Sequence, residues 1–202
     1  MKRTYWLLFF FAIMMSCAPP SLIVKRYPAP GERLRVAVLP FQDAPGRAGS
    51  GKIATDVFST EILRVTAYNV IDRGALEQVL NEQKLAASGA IDQTKAVEVG
   101  KLLGADGIIV GSVTEFVPRV LLMFPPAKVG ITARYINIKT GEVEWSASHR
   151  VGGVKRWFWW ILGTPFIGAV ATILSPTAED QVSNATRAIS RTVQTQLETR
   201  GR

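Results

Sequence analysis

A chain of 202 residues with an ordinary apolar fraction of 48% is long enough to bury a core of its own, so folding needs no metal or disulfide staple. The formal charge of +8 falls to +6 if the residues before Cys17 are removed, since Lys2 and Arg3 go with them. The cations are scattered and no Lys/Arg run exceeds two, which argues against nucleic acid as a partner.

The N-terminus speaks to the compartment. Lys2 and Arg3 precede an unbroken apolar stretch, Trp6 to Met15, too short to span a bilayer as a helix but suited to the core of a signal peptide. Met14-Met15-Ser16-Cys17 follows and resembles a bacterial lipoprotein box, with Met14 in place of the usual Leu. Cys17 is the only cysteine, so it has no internal disulfide partner; lipidation gives it a role. Residues 1–16 are thus read as a lipoprotein signal peptide and Cys17 as the acylated anchor, with several acyl chains giving stable membrane attachment. Ala18 after the cysteine fits sorting to the outer membrane, which places the protein on its periplasmic face.

Residues 17–33 hold four prolines and read as a flexible tether, with the folded domain occupying 34–200. Val36 to Phe41 is a continuous apolar run, expected as a strand buried on both faces. A Gly-rich loop, Gln42 to Gly51, leads into a helix with an apolar stripe at Ala54, Phe58, Ile62 and Val65. Tyr68 to Ile71 is a second strand. It feeds a helix N-capped by Asp72, with Leu76, Val79 and Leu80 on one face and Ala86 and Ala87 returning to that face before Gly89. Thr94 to Leu103 reads as another helix, closed by Gly104.

Gly107 to Val113 is an apolar strand, extended as far as Val117. Val129, Ile131, Ala133 and Tyr135 alternate with small or polar residues, Thr140-Gly141 signals a turn, and Val143, Trp145 and Ala147 resume the alternation. This hairpin should turn one face to the core and one to solvent. Trp157 to Leu174 then runs 18 residues without a charge. The final helix, 177–199, carries a stripe at Val182, Ala185, Ile189, Val193 and Leu197.

Few residues invite chemistry. Gly46 to Lys52 matches GxxxxGK between a strand and a helix, but Ile53 stands where a phosphate-binding loop needs Ser or Thr for magnesium, and no downstream strand supplies the acidic partner. His149 is the sole histidine, at the end of a strand pattern, with no carboxylate cluster to build a metal site around it. No GxSxG elbow accompanies it. The chain reads as non-enzymatic, with no catalytic residue, metal or cofactor. The Trp157–Leu174 stretch is the stronger candidate for function. Trp157, Phe158, Trp159, Trp160 and Phe166, next to Lys155-Arg156, suit contact with a membrane interface or with another copy or protein partner.

Four stretches in order resemble the curli assembly/transport component family, CsgG. They are VAVLPFQD (36–43), VIDRGALEQVLNEQKL (70–85), LGADGIIVGSVTEF (103–116) and ARYINIKTGEVEWSAS (133–148). The resemblance implies an outer-membrane lipoprotein with an α/β periplasmic domain, a mixed β-sheet flanked by helices, which in the founding members assembles into a ring secreting amyloid subunits. This chain departs from those members where they insert two long membrane hairpins. Val117 to Lys128 is too short, with Pro118, Pro125 and Pro126, to supply two spanning strands, and the Trp157 stretch lacks barrel alternation. The expected function is therefore a component of an envelope export or surface-assembly system, acting through a homo-oligomer or an envelope protein partner. The alternative is a periplasmic regulatory lipoprotein resembling the activators of peptidoglycan synthases.

Overall fold

The computed structural model describes residues 20–26, 28–29, 32–84, 91–118, 127–152 and 177–200. In chain order the elements are β1 (Ser21–Val24), β2 (Leu34–Val38), α1 (Ser50–Ile62), β3 (Tyr68–Val70), α2 (Arg73–Glu82), α3 (Gln93–Leu102), β4 (Gly107–Val117), β5 (Lys128–Asn137), β6 (Val143–Val151) and α4 (Ala178–Arg200). The strands form one six-stranded sheet in the order β1-β6-β5-β4-β2-β3. β2 lies parallel to β3 and β4, whereas β4-β5, β5-β6 and β6-β1 pair antiparallel. This is the mixed sheet flanked by helices that the sequence implies.

Strand alternation divides the core in two. Val36, Val38, Ile109, Ile131, Ala133, Tyr135 and Trp145 face α1 and α4. Ala37, Leu39, Ile108 and Ile136 face α2 and α3. β2 therefore buries side chains on both sides, and its continuous apolar run follows from that position. β5 and β6 alternate instead, because α2 and α3 cover only the part of the second face near β2. Beyond them Thr132, Arg134, Ser146 and Ser148 are half-buried or exposed.

The helix ends obey local chemistry. The Asp72 carboxylate accepts from the amides of Gly74 and Ala75, capping α2. Asp92 does the same for Gln93 at the start of α3. Gly104 ends α3 in the left-handed region at φ 60°, where a side chain would strain the backbone. Thr177 and Asp180 cap α4 reciprocally: the Thr177 amide donates to the carboxylate at 2.8 Å, and the Asp180 amide donates to the Thr177 hydroxyl at 3.3 Å. The whole predicted stripe of α4, from Val182 to Leu197, is buried. Glu61, buried on α1, accepts from Arg64 at 2.9 Å and from Arg187 of α4 at 3.3 Å, locking the two helices together.

Two expectations are corrected. The flexible tether of 17–33 is shortened, because Ser21–Val24 forms β1 and pairs with Trp145 to Ser148 of β6. Leu22 and Val24 supply the reason, since both pack against the core under α4. The helix after Asp72 ends at Glu82, and Lys84 turns the chain at φ 55°. The expected return of Ala86 and Ala87 lies outside the described residues.

Candidate functional site

The residues singled out for function, Cys17, Trp157, Phe158, Trp159, Trp160 and Phe166, all lie outside the described residues. The sheet does fix where their flanking strands stand. Ser21 pairs with Ser148, Val117 with Lys128, and Val151 with Val129, so all of these gather at one end of the sheet. The Asn137–Val143 turn closes the opposite end, with the Asn137 carboxamide accepting from the Lys139 amide at 2.8 Å. Chain entry into β1, the exit from β4 and the exit from β6 thus share a pole. Arg150 and Glu115 form an ion pair there at 3.3 Å.

The Gly46–Lys52 loop has a structural occupation. The carboxylate of Asp43 accepts from the amides of Gly51 at 2.6 Å and Gly49 at 3.1 Å. Ser50 accepts from the Ala44 amide at 2.9 Å and donates to the Arg47 carbonyl at 2.7 Å. The amides that a phosphate would need at the start of α1 therefore face the protein's own carboxylate. These bonds, the one from Gly51 foremost, hold the Asp43 carboxyl below its ordinary value. His149 sits half-buried in β6, and burial pushes its imidazole below the usual value. Among the described residues no three His, Cys, Asp or Glu side chains gather as metal ligands would. No described helix is long and apolar enough to cross a membrane.

One concavity of about 280 Å³ opens at the carboxyl ends of β2 and β3, between α1 and α2. Its floor is apolar, with Val38, Val70, Leu76 and Leu80, and Leu63 stands 61% exposed at its rim. Asp72 and Glu77 line it, and Arg73 bridges Asp56 and Glu77 across it. It lies at the outer edge of the parallel strands, beside β3, and not between β2 and β4, where the strand order reverses. The sequence showed each helix separately but could not show that α1 and α2, on opposite faces, flank the same sheet edge. β1 was also missed. Its signal was present as a four-residue run, Ser-Leu-Ile-Val, set among prolines.

The fold defines a class, a three-layer α/β domain whose mixed sheet leaves an edge strand on either side. Residues 21–120 match the family described as Curli production assembly/transport component CsgG. No curated protein matches the chain. Among solved structures it is similar to the PelC dodecamer from Paraburkholderia phytofirmans, at 16% identity and TM-score 0.48 over 85% of this chain and 96% of that one. It is also similar to the LpoB C-terminal domain from Salmonella enterica, at 16% identity and TM-score 0.48 over 62% of this chain and 88% of that one. Lipoprotein GNA1162 from Neisseria meningitidis is similar at 20% identity and TM-score 0.46, over 71% and 99% respectively.

Proposed function

We propose that this chain is a non-enzymatic envelope lipoprotein of CsgG type, anchored through Cys17 on the periplasmic face of the outer membrane. It acts in export or surface assembly through contacts between its own copies and with envelope proteins. The observation that carries the reading is the shared pole of the sheet. Cys17 precedes Ser21 by four residues, a reach of about 14 Å for extended chain. An acyl anchor on Cys17 would hold that pole, not the turn at Thr140-Gly141, against the lipid.

The sequences that follow β4 and β6 start from the same pole. They read Arg119-Val-Leu-Leu-Met-Phe124 and, after Lys155-Arg156, the uncharged Trp157–Leu174. A cation pair beside tryptophans is the composition expected of a lipid interface. The points at which these stretches leave the described domain thus share one end of the sheet, which supports membrane attachment there and leaves the sheet edges to other proteins.

Metabolic labelling with palmitate tests the anchor. The intact chain is expected to incorporate label and Cys17→Ala to lose it entirely. Retained label in the variant would remove the lipoprotein reading.

A further inference from the structure

A second concavity, of about 230 Å³, lies on the sheet face that α2 and α3 leave partly open. It sits where β2 parts from β4, the point at which the strand order reverses and α/β sheets commonly take ligands. The chain itself makes the opening. The Leu39 amide donates to the Ile109 carbonyl at 2.9 Å, but Pro40 after it has no amide to offer β4. Pairing resumes at Gln42, whose amide donates to the Gly111 carbonyl at 3.0 Å. That register sets Gln42 beside Ser112, with Thr132 opposite Ser112 and Arg134 opposite Val110 across β4 and β5. Gln93, the first residue of α3, lines the concavity with them.

Its polar groups divide into one cation and several acceptors. All 16 Asp and Glu of the chain are among the described residues, and among these none forms an ion pair with Arg134. The planar fork of a guanidinium suits a carboxylate, which it holds through two parallel bonds. The Gln93 carboxamide donates to the Gly141 carbonyl at 2.8 Å, which leaves its oxygen to accept. The Thr132 hydroxyl donates to that of Ser148 at 3.4 Å and likewise keeps lone pairs to accept with. A ligand with one negative charge and several hydroxyl donors satisfies this set. A phosphate brings acceptors alone, and the Gln93 amide at the helix start already donates to the Asp92 carboxylate at 2.7 Å. No aromatic ring of the described residues lines the concavity, so recognition there rests on charge and hydrogen bonds, not on stacking.

We infer that this concavity binds a small hydroxylated carboxylate of the hexuronic acid type, with Arg134 holding the carboxylate and Gln42, Gln93, Ser112 and Thr132 holding the hydroxyls. Its volume falls below the range of drug-sized sites, about 300–1,000 Å³, so the ligand is a single unit of monosaccharide size. Val110 and Ile91 supply an apolar wall for the carbon skeleton. The site needs neither the lipid anchor nor a contact between copies, and so stands or falls apart from the proposed function.

The test is isothermal titration calorimetry of the full-length protein, extracted in a sugar-free detergent, with glucuronate as the probe. Saturable binding at one site per chain is expected, with a Kd of about 1 mM or tighter. Acetate and glucose each carry half of the recognised chemistry and should bind at least roughly tenfold more weakly. Arg134→Gln should weaken glucuronate by roughly tenfold or more, and Arg134→Lys, which keeps the charge and loses the fork, by less. Arg191→Gln, on the exposed side of α4, should change nothing. Thr132→Val gives an independent reading of the hydroxyl contacts, with a loss of a few-fold for glucuronate and none for acetate. Circular dichroism checks the fold of each variant. The site is overturned if glucuronate gives no saturable heat, if its binding is unchanged in Arg134→Gln, or if inorganic phosphate or acetate binds as tightly.

Discussion

The indole N–H of Trp145 donates to the hydroxyl of Tyr68 across 2.7 Å, joining β6 to β3 over three intervening strands. Tyr135 of β5 lies between them. It stacks on Tyr68 with ring centres 5.7 Å apart and on Trp145 at 6.2 Å. This aromatic row ties the parallel half of the sheet to the antiparallel half. Burial pushes both phenols above their ordinary values, so neither ionises under physiological conditions.

Tyr68→Phe should leave the buried indole N–H of Trp145 without its partner while keeping the stack. A cost of about 1–3 kcal/mol is expected, the penalty for orphaning a buried donor. Urea denaturation followed by tryptophan fluorescence measures it directly. Unchanged stability would mean that the hydrogen bond contributes nothing net.

Gly107 of β4 makes room for the row. A Cβ built there would overlap the ring and hydroxyl of Tyr135. Gly107→Ala is expected to destabilise by about 1–3 kcal/mol through overpacking. The double variant Gly107→Ala/Tyr135→Leu should recover part of that loss, because the smaller side chain vacates the space. Thermal melts of the two variants decide the point.

Asp43 gives a pH dependence with a definite sign. Its carboxyl is lowered in the folded state, chiefly by the Gly51 amide, against an unfolded value of about 3.9. The stability it contributes is therefore fully present above the unfolded value. It is lost as pH falls through the folded one. Asp43→Ala should cost about 1 kcal/mol at neutral pH, as removal of a helix-capping carboxylate does. It should also flatten the acid limb of the stability profile, read from urea midpoints between roughly pH 2 and pH 6. An acid limb identical to wild type would assign the dependence to other groups.

Much of the fold was legible because its elements are locally encoded. Asp72 caps α2 from an adjacent position, Gly104 supplies the left-handed turn that ends α3, and the α4 stripe repeats at helical spacing along 16 residues. Alternation in β5 and β6 announced a half-covered hairpin, and the unbroken run of β2 announced a strand buried twice. The mixed sheet itself was implied by the resemblance to the CsgG family and not by these local signals. β1 escaped because four residues carry too little periodicity to distinguish a strand from apolar tether; only Trp145 to Ser148, more than 120 residues away, give them partners.

Sequence by itself determined most of the segments that form helices and strands, β1 apart, together with the single cysteine near the start and a Gly-rich loop lacking the residue that would hold magnesium. Tertiary structure decided that Asp43 fills that loop's amides and that α1 and α2 flank one groove. It also decided that the entry into β1 shares a pole with the exits of β4 and β6. The physical reason is range. Caps, turns and periodic faces are fixed by residues within a few positions of one another, whereas strand order is set by which apolar faces can be buried together across the whole chain.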